Sequence, residues 1–307
     1  MRNIFDDVLC KINEFRTPCC IGLDPDLKYI PDSLKGIALA NHGNTRKGVA
    51  SAFFEFNKAI IDATADIVGI YKPQMAFYEK YGPDGIQAFM DTVSYLKRKG
   101  KIVIEDAKRN DVGNTAAAYA DSHLGVVDLF TTAEPVYNVD LLTVNGYLGS
   151  DGIKPFVESA QKHSKGLFVL SKTSNPSSVE FQDIAHGEYG INYMLMMDLI
   201  RKCAAETKGA SGYMVAGAVV GTTFPSDASV IRKKFPDCFF LVPGFGAQGG
   251  KADDVASCFN SNGEGAIISS SRQITYAYLQ AGYTVYDFAE AARNAAIQMV
   301  KEISAVL

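Results

Sequence analysis

The stretch Lys101-Ile102-Val103-Ile104-Glu105-Asp106-Ala107-Lys108-Arg109-Asn110-Asp111 passes from an apolar run into a cluster of charges. The apolar part reads as a short buried strand. Asp106 and Lys108 are two residues apart, so a strand points both to the same face. Asp111 lies just beyond, where the strand gives way to a loop. Two carboxylates around one ammonium are costly to build into a core. Such clusters are typical of sites where charge is arranged for chemistry. The Ala-rich segment Asn114–His123 that follows reads as a helix, so the whole stretch is one strand–helix unit.

The same unit recurs in both directions from this point. Further strand candidates are Pro18–Asp24, Ile67–Gln74, Leu141–Asn145, Gly166–Ser174, Tyr213–Gly221, Cys238–Gly246 and Gly265–Ser271, which with Lys101–Lys108 make eight. Helical patterns fall between them at Ser51–Asp66, Pro83–Lys99, Ile153–His163, Ile191–Lys208, Asp227–Phe235, Lys251–Phe259 and Tyr286–Val306. Alternating β and α segments imply a parallel sheet. Eight units in 307 residues predict the closed (β/α)8, or TIM, barrel, an α/β fold whose usual size is about 250 residues. An open doubly wound sheet is the alternative. No linker splits the chain, so a single domain over 1–307 is expected. The excess length falls to an N-terminal amphipathic helix, Met1 to Phe15, and to loop insertions near 31–47 and 175–189.

Composition excludes several classes of function. The formal net charge is −4 with no long basic run, which argues against a nucleic-acid groove. No apolar stretch approaches the roughly 18 residues of a membrane span, and the N-terminus does not read as a signal peptide. The six cysteines form no Cys-x-x-Cys pair and sit in mostly apolar surroundings, so buried reduced thiols and a cytoplasmic location are expected. The four histidines, His42, His123, His163 and His186, show no metal-binding spacing, so no metal is expected.

In a barrel, catalytic groups lie at the carboxyl ends of the strands and in the loops that follow. Asp24, Lys72, Gln74, Asp106, Lys108, Asp111, Ser174, Gln248 and Arg272 all fall there, while most strand bodies carry no charge. Lys72 ends the strand next to Asp106, so a chain of alternating charge, Lys-Asp-Lys-Asp, becomes available. Each lysine favours ionised carboxylates and each carboxylate keeps the lysines protonated. The run Pro243-Gly244-Phe245-Gly246-Ala247-Gln248-Gly249-Gly250 contains a formal G-x-G-x-x-G. It follows the seventh strand instead of the first, and no carboxylate ends the next strand, so a dinucleotide loop is the weaker reading. A phosphate cradle formed with Arg272 after the eighth strand is the stronger one. Lys172, at the end of the fifth strand, raises the alternative of a Schiff-base aldolase.

Together these residues resemble the orotidine 5′-phosphate decarboxylase family, nearest to its bacterial branch with longer chains. The resemblance covers nearly the whole chain. It rests on Cys20 to Pro25, Tyr71 to Phe77, Asp106 to Thr115, Leu170 to Pro176, Pro243 to Gly250 and Ser269 to Arg272, in that order, the third being the family's signature. The resemblance implies orotidine 5′-phosphate as substrate, UMP as product and no cofactor. It implies Lys72, Asp106, Lys108 and Asp111 as a charged catalytic tetrad. Asp24 and Lys72 would touch the ribose, Ser174 the pyrimidine, and Gln248, Arg272 and the Ser271 backbone the 5′-phosphate. Gln74 and Pro243 would line the site. Asp111 and Thr115 would reach into a partner's site, which implies a homodimer. The chain departs from the family's common pattern at Val112, usually Ile, and at Ser271, often Gly. A different lyase on the same barrel and a non-catalytic nucleotide-binding barrel remain as alternatives.

Overall fold

Eight short parallel strands close into a barrel in a computed structural model that describes residues 2–245, 252–280, 282–284 and 286–307. In chain order the elements are α1 (Ile4–Phe15), β1 (Cys19–Leu23), α2 (Asp32–His42), α3 (Arg46–Thr64), β2 (Ile70–Pro73), α4 (Met75–Glu79), α5 (Gly82–Arg98) and β3 (Ile102–Arg109). Next come α6 (Gly113–His123), β4 (Val127–Asp128), β5 (Ala133–Glu134), β6 (Leu141–Val144), α7 (Ser150–His163), β7 (Gly166–Lys172) and α8 (Asn192–Ala204). The chain continues through β8 (Ala216–Val220), α9 (Pro225–Lys234), β9 (Phe240–Pro243), α10 (Ala252–Ala256), β10 (Ala266–Ser270), α11 (Arg272–Thr275) and α12 (Phe288–Ser304). Around the barrel the order is β1, β10, β9, β8, β7, β6, β3, β2, with β2 returning to β1. The remaining strands, β4 and β5, form a separate antiparallel ribbon. The expected closed barrel is therefore present, and the open doubly wound sheet is not.

Strand alternation divides the core in two. Outward residues such as Val103, Leu142 and Val169 pack under the helices. Inward ones such as Cys20, Ile70, Ile104, Leu141, Phe168 and Leu241 fill the barrel. Ile4, Phe5, Val8 and Leu9 of α1 join the inner group, so this helix closes the barrel's amino-terminal end. Phe5 stacks on Phe239 at 4.8 Å between ring centres and meets Phe168 edge-on at 5.6 Å. Asn3 caps the helix and donates to the backbone of Thr207 and Tyr213.

Several expectations at the periphery are corrected. Residues 31–47, read as a loop insertion, hold α2 and the first two residues of α3. Residues 175–189, by contrast, form a loop with two short 3-10 turns, Pro176–Glu180 and Gly187–Tyr189. Cys10 is exposed, against the expectation of buried thiols. Cys19, Cys20 and Cys238 are buried, and burial pushes their thiols up to about 12. Among the described residues no helix is long and apolar enough to cross a membrane.

Candidate active site

The carboxyl ends of the strands open onto a cavity of about 530 Å3. Asp24, Lys72, Gln74, Asp106, Lys108, Ser174, Pro243, Ser271 and Arg272 all line it. They arrive separately: Asp24 follows β1, Lys72 lies on β2, Asp106 and Lys108 on β3, Ser174 follows β7, and Ser271 and Arg272 follow β10. Two glycines allow strand ends to approach this closely. A Cβ on Gly22 would stand 2.5 Å from that of Ser271, and one on Gly221 would stand 2.8 Å from that of Ser174.

On β3 the alternation that sends Ile102 and Ile104 inward carries on to Asp106. Its carboxylate bridges two ammonium groups. Lys72 Nζ donates to Oδ2 at 3.0 Å and Lys108 Nζ to Oδ1 at 2.5 Å. Burial alone would raise the Asp106 carboxyl, but the two lysine charges outweigh it and hold the group well below the usual carboxylate range. Burial would likewise lower Lys72, and the charges of Asp106 and Asp24 outweigh it, keeping the ammonium above the ordinary lysine range. Three members of the expected chain of alternating charge are thus in contact.

Asp24 behaves differently. Its carboxyl is pushed up by burial, with the Lys72 charge and the nearby Ser271 hydroxyl pulling the other way. Its Oδ1 is buried and has no hydrogen-bond partner. A buried, poorly satisfied carboxylate on a residue that lines the cavity suits a ligand hydroxyl.

Lys108 has φ +51°, in the left-handed region. It lies where the register of β3 against β6 shifts, between Glu105 and Arg109. A non-glycine residue held there carries backbone strain on the order of 1–3 kcal/mol, of the kind that clusters at functional sites.

Asp111 and Thr115 do not line this cavity. Asp111 is half-buried and its Oδ1 accepts from the Val112 N–H at 2.8 Å, while Thr115 is exposed in the first turn of α6. Gln248 and residues 246–250 of the glycine run lie outside the described residues. Lys172 is also absent from the cavity. It is fully buried, ion-paired with Asp183 and with Asp227 at 3.6 Å, and its Nζ lies 4.1 Å from the centre of the Phe224 ring. A lysine held so is no free amine for a Schiff base.

Sequence reasoning missed three features. Thr143 on β6 lines the cavity and bonds to both Asp106 and Lys108. Gln182 fixes the end of β7: its Oε1 accepts from Thr173 N–H at 2.8 Å and its Nε2 donates to Thr173 Oγ1 at 2.7 Å. Behind β3, Glu105 is fully buried and meets His123 Nδ1 at 2.7 Å, and His123 Nε2 accepts from Arg109 Nε at 3.2 Å. Arg109 also pairs with Glu79.

Comparison with known proteins is consistent along the whole chain. Residues 17–282 match the family model described as "Orotidine 5'-phosphate decarboxylase / HUMPS family". An orotidine 5′-phosphate decarboxylase of Rhodopirellula baltica is 40% identical over 291 residues, covering 92% of this chain and 93% of its own. One from Caldicellulosiruptor bescii is 36% identical with both chains fully covered. The structure of an OMP decarboxylase from Leishmania donovani superposes with a TM-score of 0.71 at 28% identity, covering 99% of this chain and 98% of its own.

Proposed function

The chain belongs to the orotidine 5′-phosphate decarboxylase family, and from that premise we propose how its cavity converts orotidine 5′-phosphate to UMP and CO2. The reaction is that of a carboxy-lyase in pyrimidine biosynthesis. Its difficulty is electronic: loss of CO2 from C6 leaves an electron pair in an sp2 orbital that the ring does not delocalise. No cofactor takes part in the proposal, so the protein must stabilise that charge with groups already in place.

The observation that carries the reading is the Lys72–Asp106–Lys108 contact at the floor of the cavity. Lys108 places its ammonium beside C6. As the C6–carboxylate bond breaks, the pair stays on C6 and is met by that charge. An Nζ proton then passes to C6, giving UMP, and water restores the Lys108 proton. Asp106 faces the substrate carboxylate, and their repulsion disappears when neutral CO2 departs. Lys72 keeps Asp106 ionised. Asp24 Oδ1 accepts from a ribose hydroxyl, with Lys72 beside it, and Ser174 bonds the pyrimidine. Arg272, the Ser271 backbone and Gln248 hold the 5′-phosphate, far from the reacting carbon. Binding energy gathered there orders the site for the chemical step. Asp111 and Thr115 complete the cavity of a second copy in a homodimer.

Incubation with orotidine 5′-phosphate without added metal, following loss of the orotate absorbance, tests the activity. Lys108→Ala is expected to abolish turnover while UMP still binds, since Lys108 acts on C6 and not on the phosphate. Appreciable turnover by that variant would remove Lys108 as the proton donor.

A further inference from the structure

Lys108 is held at both ends. Its ammonium rests on Asp106 Oδ1. Its backbone N–H, freed from the strand ladder by the register shift in β3, donates to Thr143 Oγ1 at 3.0 Å. That same Thr143 hydroxyl lies 3.0 Å from Asp106 Oδ1 and 3.5 Å from the Glu105 carbonyl. A threonine hydroxyl has one proton to give. The carboxylate is the nearer and the charged acceptor, so the proton goes there. The contacts close a ring: Lys108 N–H to Thr143 Oγ1, Thr143 O–H to Asp106 Oδ1, and Asp106 Oδ1 back to Lys108 through its own ammonium. Thr143 is buried and projects from β6, the strand beside β3. Its branched Cβ limits the side chain to few rotamers, so the hydroxyl is a fixed point. A left-handed lysine backbone does not persist without surroundings that impose it, and this ring is such a restraint.

Resting on the reading of Lys108 as proton donor, we infer that Thr143 is a positioning residue for the decarboxylation. One hydroxyl fixes the Lys108 backbone and the Asp106 carboxylate together, and so sets where the ammonium stands relative to C6. Thr143 also borders the cavity, so a direct contact with the bound nucleotide is the competing role. The two roles separate experimentally. UMP has lost the carboxylate, and its binding does not depend on where the Lys108 proton points.

The test compares Thr143→Val, which keeps the shape and removes the hydroxyl, with Thr143→Ser, which keeps the hydroxyl. Lys108→Ala runs beside them, with kcat on orotidine 5′-phosphate, Kd for UMP and Tm measured for each. A misplaced reacting group lowers turnover by up to about 100-fold, so Thr143→Val is expected to lose about 10- to 100-fold in kcat. Its Kd for UMP should stay as in the unsubstituted protein, and Thr143→Ser should keep most of the turnover. An unchanged kcat in Thr143→Val overturns the inference. So does a parallel loss of kcat and UMP affinity, or a folded Thr143→Ser as slow as Thr143→Val. Should Thr143→Val not fold, Thr143→Ala against Thr143→Ser makes the same comparison, because the two differ by the hydroxyl alone. Turnover surviving in Lys108→Ala overturns the reading of Lys108 itself, whatever Thr143 does.

Discussion

Asp24 carries a carboxyl that burial pushes up against the pull of Lys72. A carboxyl with a folded pKa above its unfolded value weighs on stability at every pH where it is ionised in both states. That burden disappears below the unfolded value, about 3.9 for Asp. Asp106 has the opposite sign: its depressed pKa contributes stability above the unfolded value, and the contribution fades as acid is added. Asp24→Asn is therefore expected to raise Tm at pH 7, with the gain shrinking towards pH 4. Melting curves of both proteins across that range check it, and a variant less stable at pH 7 would refute it. The same substitution should weaken UMP binding by about 1.5–3 kcal/mol, the worth of a hydrogen bond to a charged acceptor. At this scale the sequence displays charge well and hydroxyls poorly. Asp106, Lys108 and Lys72 stand out because charge at the end of an apolar run has few structural explanations. Thr143 lies in Leu141-Leu142-Thr143-Val144, where a β-branched residue is what any strand prefers, so its two polar contacts leave no trace in the pattern. Gln182 was hidden because nothing local to residues 175–189 says that its side chain folds back on Thr173.

At the scale of elements, α1 is the clearest case of a segment whose work is structural. Phe5 is fully buried between Phe168 and Phe239 at the end of the barrel opposite the cavity. Phe5→Ala is expected to destabilise the protein by about 3–5 kcal/mol, the usual effect of truncating a buried Phe. Below its melting temperature the variant should keep kcat/KM unchanged. Denaturant melts and steady-state assays on the same preparation check both halves, and a kcat/KM that falls with stability would tie α1 to the site. Barrel strands such as β1 and β8 were legible because they are buried on both faces and read as unbroken apolar runs. Helix α2 was not legible, because only Ala38 of its residues is buried and no apolar stripe forms. Helix α3 starts earlier than its apolar pattern because Thr45 caps it at Gly48 N–H, ahead of the polar pair Arg46 and Lys47. The ribbon of β4 and β5 has two residues a strand, too short for any period to show.

At the scale of the molecule, the informative residues are two that the cavity leaves out. Asp111 precedes α6 and Thr115 lies in its first turn, and Val112 between them is exposed, as is Leu148, which packs beside Asp111 at Gly152. Exposed apolar side chains next to Asp111, which does not line its own chain's cavity, fit an interface between copies. In a two-fold dimer a residue that crosses to the partner does so from both sides. If Asp111 serves the partner's cavity, each site takes Lys108 from one chain and Asp111 from the other. Mixing Lys108→Ala with Asp111→Ala, each inactive alone, then gives hybrid dimers in which one site has lost both groups and the other has lost neither. Random exchange makes roughly half of the dimers hybrids, so activity should return to about one quarter of that of the unsubstituted protein. If Asp111 instead serves its own chain's site, every site in every dimer lacks one group and mixing restores nothing. Titrating one inactive variant into the other, and following turnover as subunits exchange, separates the two arrangements.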